Sequence, residues 1–148
     1  MKKLVLTAIA VLLAVNTYAQ IEAPVKWAYA AKKTSATDAV VLIKATIDQG
    51  WHIYSLYLKD GGPVKTTIKF TASKDFSKVG KTTEPTPVTK FEKTFGMNVT
   101  YFENEVVFQQ KIKLKAKQTT VKGTIEYMTC NDQKCLPPEN LTFSVAIK

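Results

Sequence analysis

Arginine is absent from this chain; all of its basic residues are lysine, set against 12 acidic residues for a net charge of +9. Readers of nucleic acid and clamps for phosphate lean on the bidentate guanidinium fork, so nucleic acid is excluded as a partner class. Histidine occurs once, at His52, and cysteine twice, at Cys130 and Cys135. Those three ligands give no spacing of a zinc site, and His52 with Met97 and Met128 is too scattered a set for copper. No metal and no cofactor is expected. No nucleophile-elbow pattern occurs. Beyond the first 20 residues no apolar run approaches the length of about 18 that a membrane-crossing helix needs.

Residues Met1 to Gln20 read as an export leader rather than as part of a fold. Lys2 and Lys3 supply the positive start, Leu4 to Val15 an apolar stretch broken only by Thr7, and Thr17-Tyr18-Ala19 a small-residue cleavage site. Cleavage after Ala19 leaves residues 20–148 as one exported domain, the alternative being an uncleaved anchor. Without Lys2 and Lys3 the net charge falls to +7. An oxidising compartment lets a disulfide persist, and two cysteines allow one intramolecular bridge.

The remaining pattern is β. Val25 to Ala31, Ala39 to Asp48, Val64 to Thr71, Glu105 to Ala116, Val121 to Thr129 and Leu141 to Ile147 all alternate with period two. Val41, Ile43, Ala45 and Ile47 share one face, as do Leu141, Phe143, Val145 and Ile147. On the Glu105–Ala116 strand, Lys111, Lys113 and Lys115 oppose Phe108, Ile112 and Leu114, the pattern of a half-solvated sheet. Trp51 to Tyr57 is a strand dense in aromatic side chains, followed by the turn Lys59-Asp60-Gly61-Gly62-Pro63. Phe76 to Val79 is a weak strand, Lys81 to Pro87 an edge or loop, and Val88 to Asn98 an irregular loop with large apolar side chains. Seven to nine short strands in one domain of this size predict an all-β antiparallel sandwich.

Gly123 to Asn140 (GTIEYMTCNDQKCLPPEN) concentrates the chemistry. Four residues separate the cysteines, a spacing suited to a hairpin that holds their Cα atoms about 5–6 Å apart. If the Val121–Thr129 strand runs on, Cys130 falls in phase with Glu126 and points away from the apolar face, toward solvent. A staple across so short a loop contributes only about 2 kcal/mol. From the residues alone the pair is equally a structural staple in a binding module or a reversible redox couple.

The stretch from Gly123 through Cys130, Cys135, Leu136, Pro137 and Pro138 resembles the active-site segment of the N-terminal domain of the DsbD thiol:disulfide interchange family. Gly50-Trp51-His52-Ile53-Tyr54 resembles that family's aromatic strand, and Phe95-Gly96-Met97 with Tyr101-Phe102 its loop before the next strand. The resemblance covers nearly all of residues 20–148. It implies an immunoglobulin-like sandwich that acts as a thiol-disulfide oxidoreductase component, a protein-disulfide reductase. Electrons would pass from a separate membrane-embedded transducer to oxidised periplasmic proteins, with cytochrome c maturation as one outlet. It also implies thioredoxin-fold redox partners and a monomer. Cys135 would form the mixed disulfide and Cys130 resolve it. His52 and Tyr54 would line the site, Glu92 would be an acidic neighbour, and Thr94 or Phe95, with Phe91 a weaker candidate, would cap the pair. The spacing departs from the best-known members, whose cysteines lie one residue further apart and whose cap is a phenylalanine.

Overall fold

The computed structural model describes residues 22–148; the expected leader, Met1 to Ala19, lies outside the described residues. Eleven strands follow in order: β1 (Val25–Lys33), β2 (Asp38–Ile47), β3 (His52–Tyr54), β4 (Thr67–Phe70), β5 (Phe76–Thr83), β6 (Val88–Glu92), β7 (Met97–Glu103), β8 (Glu105–Leu114), β9 (Thr119–Tyr127), β10 (Thr129–Cys130) and β11 (Glu139–Ile147). No helix occurs among the described residues. The pairings are all antiparallel and form three sheets, β1-β2-β8-β5, β11-β9-β4 and β10-β3-β7-β6. This is the expected immunoglobulin-like sandwich. It has more strands than expected because two of them are only two or three residues long.

The first two sheets enclose the main core. Period two puts Val41, Ile43, Ala45 and Ile47 of β2 and Phe108, Ile112 and Leu114 of β8 on one inner face. Val121, Ile125 and Tyr127 of β9, with Phe143, Val145 and Ile147 of β11, form the other. Burying each such side chain contributes about 1.5–3 kcal/mol. The β9–β11 register leaves no room at Gly123. A Cβ there would lie 2.3 Å from the Lys69 carbonyl and 2.5 Å from the Phe143 ring.

Gln110 breaks the apolar series on β8, yet it is fully buried. Its carbonyl accepts from the Thr82 hydroxyl at 2.8 Å, and its amide donates to the Val79 carbonyl at 3.2 Å and the Lys111 carbonyl at 2.8 Å. Those bonds hold the irregularity in β5, where pairing with β8 slips between Val79 and Thr83 around the left-handed Gly80. The weak strand expected at Phe76–Val79 therefore runs on to Thr83, as an edge strand.

The third sheet adds Ile53 and Phe102 to the main core and corrects the reading of Val88 to Asn98. Instead of an irregular loop, β6 and β7 form a regular hairpin with Glu92 opposite Met97 and Val88 opposite Tyr101. The strand was hidden because four of the five β6 side chains are exposed, so no apolar alternation marks it. Gly96 takes φ +63° at the tip, where the Phe95 and Gly96 amides donate to the Glu92 and Lys93 carbonyls. Glu84 anchors the chain leaving β3. Its carboxylate accepts from the Ser55 hydroxyl and, at 2.8 Å, from the Leu56 amide.

Candidate functional site

The cysteine segment is built by a change of sheet. β9 ends at Tyr127, and after Met128 the chain leaves β11 and β4 to pair with β3, Thr129 opposite Ile53 and Cys130 opposite His52. The alternation carries on through the change of partner: Thr129 pairs with Ile53, which faces the main core, and Cys130 pairs with His52 on the opposite face. Thr129 and Cys130 are both buried, Cys130 to 2% exposure, packed with Tyr54, Leu58, Val99 and Tyr101. Cys130 thus points away from the main core, as strand parity expects, but a second apolar cluster covers that face, and the expected exposure is overturned. Cys135 is the exposed partner.

The two cysteines are disulfide-bonded across a single antiparallel bridge. The Asn131 amide donates to the Lys134 carbonyl and the Leu136 amide to the Thr129 carbonyl, each at 2.9 Å. That pattern makes Cys130 and Cys135 a non-hydrogen-bonded pair, the closer of the two antiparallel kinds, and their Cα atoms are 4.0 Å apart rather than the 5–6 Å expected. Asn131 shapes the turn, its side-chain oxygen accepting from the Gln133 amide at 2.9 Å and the Lys134 amide at 2.8 Å. Pro137 and Pro138 carry no N–H with which to lengthen the hairpin. Regular pairing resumes only at Glu139, opposite Tyr127.

A cleft of about 360 Å³ opens over the disulfide. One wall is the cysteine loop. His52 and Tyr54, two apart on β3 and so on one face, come from the strand beneath, while Lys90 and Glu92 come from β6 and Thr94 and Phe95 from the hairpin tip. Every residue proposed for the site from the sequence, namely His52, Tyr54, Glu92, Thr94, Phe95, Cys130 and Cys135, lines this one cleft. The weaker cap candidate, Phe91, does not. It is opposite Asn98 on the hairpin and 57% exposed.

The polar groups of the cleft are coupled. His52 Nε2 lies 3.2 Å from the Tyr54 hydroxyl, and the His52 ring tilts against Tyr101 with centroids 4.8 Å apart. Burial lowers the His52 pKa, with Glu103 and Glu92 opposing, so the ring is neutral at pH 7. Burial, reinforced by Glu92 and Tyr101, pushes the Tyr54 phenol up to about 12. Lys90 reaches Glu92 at 3.4 Å and Asp132 at 3.8 Å, joining hairpin to cysteine loop, and the Glu92 hydrogen bond raises its pKa. Lys134, next to Cys135, sits 2.6 Å from Glu22. These pairs are exposed and contribute about 1 kcal/mol or less each.

Sequence reasoning missed Lys90 and the turn-forming role of Asn131, and gave Tyr101 no place in the site. Lys90 shares the cleft face with Glu92 only once β6 is known to be a strand. An Asn immediately after Cys130, with amides two and three residues on, was a legible turn signal. Among the described residues no group of three or more His, Cys, Asp or Glu side chains is placed to hold a metal ion.

Fold and site together define a β-sandwich carrying a cleft-lined disulfide of unequally buried cysteines. The sequence matches the family described as the N-terminal region of the thiol:disulfide interchange protein DsbD over residues 20–147, and the chain belongs to that family. Its domains serve thiol-disulfide interchange. Among curated proteins none matches the chain. Similar solved structures include the N-terminal periplasmic domain of ScsB from Proteus mirabilis (22% identity, TM-score 0.56), where the match covers 81% of this chain and 44% of that one. The reduced DsbD N-terminal domain of Neisseria meningitidis has 16% identity and TM-score 0.52 over 81% of this chain and 84% of that one. A structure of the complex between the DsbD and PilB N-terminal domains of Neisseria meningitidis matches with 16% identity and TM-score 0.56, over 87% and 88% of the two chains. At these identities the likeness is one of fold.

Proposed function

We propose that this domain is an exported protein-disulfide reductase component in which Cys135 exchanges with partner proteins and Cys130 closes the cycle. The observation that carries this reading is the unequal burial of one bonded pair, Cys130 at 2% and Cys135 exposed. Exchange needs one sulfur that a partner can reach and a second, tethered sulfur to displace it. A donor thiolate attacks Cys135 Sγ, the Cys130–Cys135 bond breaks, and the donor's second thiol releases Cys135. The reduced pair then attacks an oxidised partner through Cys135, and Cys130 restores the disulfide. Thr94 and Phe95 at the hairpin tip would shield the bond until a partner displaces them.

The proposed setting is the periplasm, reached through the leader at Met1 to Ala19. Electrons would come from a separate membrane-embedded transducer, with thioredoxin-fold proteins, including those of cytochrome c maturation, as exchange partners. The test is a Cys130→Ala variant, which should trap a mixed disulfide on Cys135 with an oxidised thioredoxin-like partner, whereas Cys135→Ala should trap none. A redox titration separates this from a structural staple in a non-enzymatic binding module. A potential in the range of exchange proteins supports the carrier, and one below about −300 mV supports the staple.

A further inference from the structure

Closing the cycle poses a proton problem. A thiol sealed among Tyr54, Leu58, Val99 and Tyr101 has its ionised form disfavoured by burial. The thiol is a poor nucleophile, so Cys130 can displace a partner from Cys135 only if a nearby base removes its proton. The groups around it narrow the choice. Leu58 and Val99 are inert, and Tyr54 and Tyr101 both hold their phenol protons more tightly than usual. Glu92 is engaged by Lys90, Asp132 is 93% exposed, and Glu103 is exposed beyond His52 on β7. His52 remains. It is the direct cross-strand partner of Cys130, so both side chains leave the sheet on the same face, and both line the cleft.

We propose that His52 is the base that accepts the Cys130 proton during resolution, with Tyr54 as the positioning residue that fixes its ring. This rests on the interchange reading above. In the productive tautomer Nε2–H donates to the Tyr54 hydroxyl, 3.2 Å away, which leaves Nδ1 free to accept. The step balances as follows. The Cys130 S–H proton passes to Nδ1, and the Cys130 sulfur attacks Cys135 Sγ. The Cys130–Cys135 bond forms as the bond from Cys135 to the partner breaks. The partner sulfur leaves with the electron pair as a thiolate, reduced by the two electrons the dithiol gives up. The imidazolium then returns its proton to water or to that thiolate. Glu103 opposite His52, with Glu92 and Asp132, favours the imidazolium as it forms, and Lys90 opposes it.

The test is stopped-flow mixing of the reduced domain with the chromogenic aryl disulfide dithiobis(nitrobenzoate). The first thionitrobenzoate reports attack by Cys135 and the second reports resolution by Cys130. For His52→Gln at pH 7, the ratio of second-phase to first-phase rate should fall by about 10²-fold. The deficit should close at high pH, where the Cys130 thiol ionises unaided. Tyr54→Phe should give a smaller fall. In the wild type the second phase should slow at acid pH, as the pH falls through the ring's depressed pKa and the ring takes up its proton. An unchanged ratio in His52→Gln, or a deficit equal at every pH, overturns the proposal. Should that variant fail to fold, a wild-type second phase with no break below neutral pH overturns it equally. A missing first phase sinks the interchange reading itself, which is a separate failure.

Discussion

Cys130 and Cys135 face one another across a single antiparallel pair with Cα atoms 4.0 Å apart, yet one is sealed in a packed cluster and the other lies at the surface. The difference comes from the change of sheet at Met128, which sets Cys130 beside His52 under the apolar cluster of Tyr54, Leu58, Val99 and Tyr101.

That difference should appear as selective alkylation. In the reduced, folded domain, brief iodoacetamide treatment should label Cys135 fully and Cys130 at least tenfold more slowly, a lower bound set by its burial. Peptide mass spectrometry reads both sites. Equal labelling would mean that the cluster around Cys130 opens freely. Losing the bridge itself should cost only about 2 kcal/mol by loop-closure entropy, so Cys135→Ala should still unfold cooperatively.

The hairpin tip carries the second prediction. Phe95 lines the cleft and is half-buried, while Phe91 on the same hairpin is exposed on its other side. Phe95→Ala should therefore speed reduction of the disulfide by a small thiol such as dithiothreitol several-fold, with little change in stability. Phe91→Ala should leave that rate alone. A rate insensitive to Phe95 would remove the shielding role.

His52 gives a pH dependence whose sign is fixed. Its folded-state pKa is depressed by burial, so between that value and the unfolded value of about 6.5 the unfolded chain binds more protons than the folded one. Stability from this group is fully present above pH 6.5 and declines as pH falls through that window, by at most about 1.4 kcal/mol per pH unit. Urea denaturation at pH 7.5 and pH 5 should show the loss in the wild type and a flatter profile in His52→Gln. An identical pH dependence in the two proteins would show that His52 is not held neutral by the fold.

Much of this was legible in the residues, for physical reasons that differ by region. β2, β8 and β11 have one face in the core, so burial writes itself into the sequence as alternation. The site residues were reachable through the family resemblance carried by the cysteine–Pro-Pro and aromatic-strand motifs, which are distant in the chain and are brought together by the pairing of Cys130 with His52. β6 was not legible, since a strand that packs on neither face carries no period. The facing of Cys130 was legible but its burial was not, because the cluster that covers that face is built by Tyr54, Leu58, Val99 and Tyr101, far off in the chain. Nothing at Met128 announces that β9 ends there; the exchange of β11 for β3 as partner is a tertiary choice.

Asn131 offers a test of how the turn tunes the couple. Its side-chain oxygen receives two backbone amides, and replacing it with alanine should cost about 1–2 kcal/mol of turn stability. The two redox states bear that loss differently. With the disulfide formed, the bond itself holds the loop shut, so the turn survives without Asn131. With the thiols free, only hydrogen bonds keep Cys130 and Cys135 together, and the loop opens. Opening gives the reduced form entropy and lowers the effective concentration of one thiol near the other. Asn131→Ala should therefore shift the equilibrium toward the dithiol. The reduction potential should rise by up to about 30 mV for each 1.4 kcal/mol by which the two states diverge. Equilibration against glutathione measures it directly. A potential unchanged while thermal stability falls equally in both redox states would mean that the turn is held by the sheet beneath it and not by Asn131.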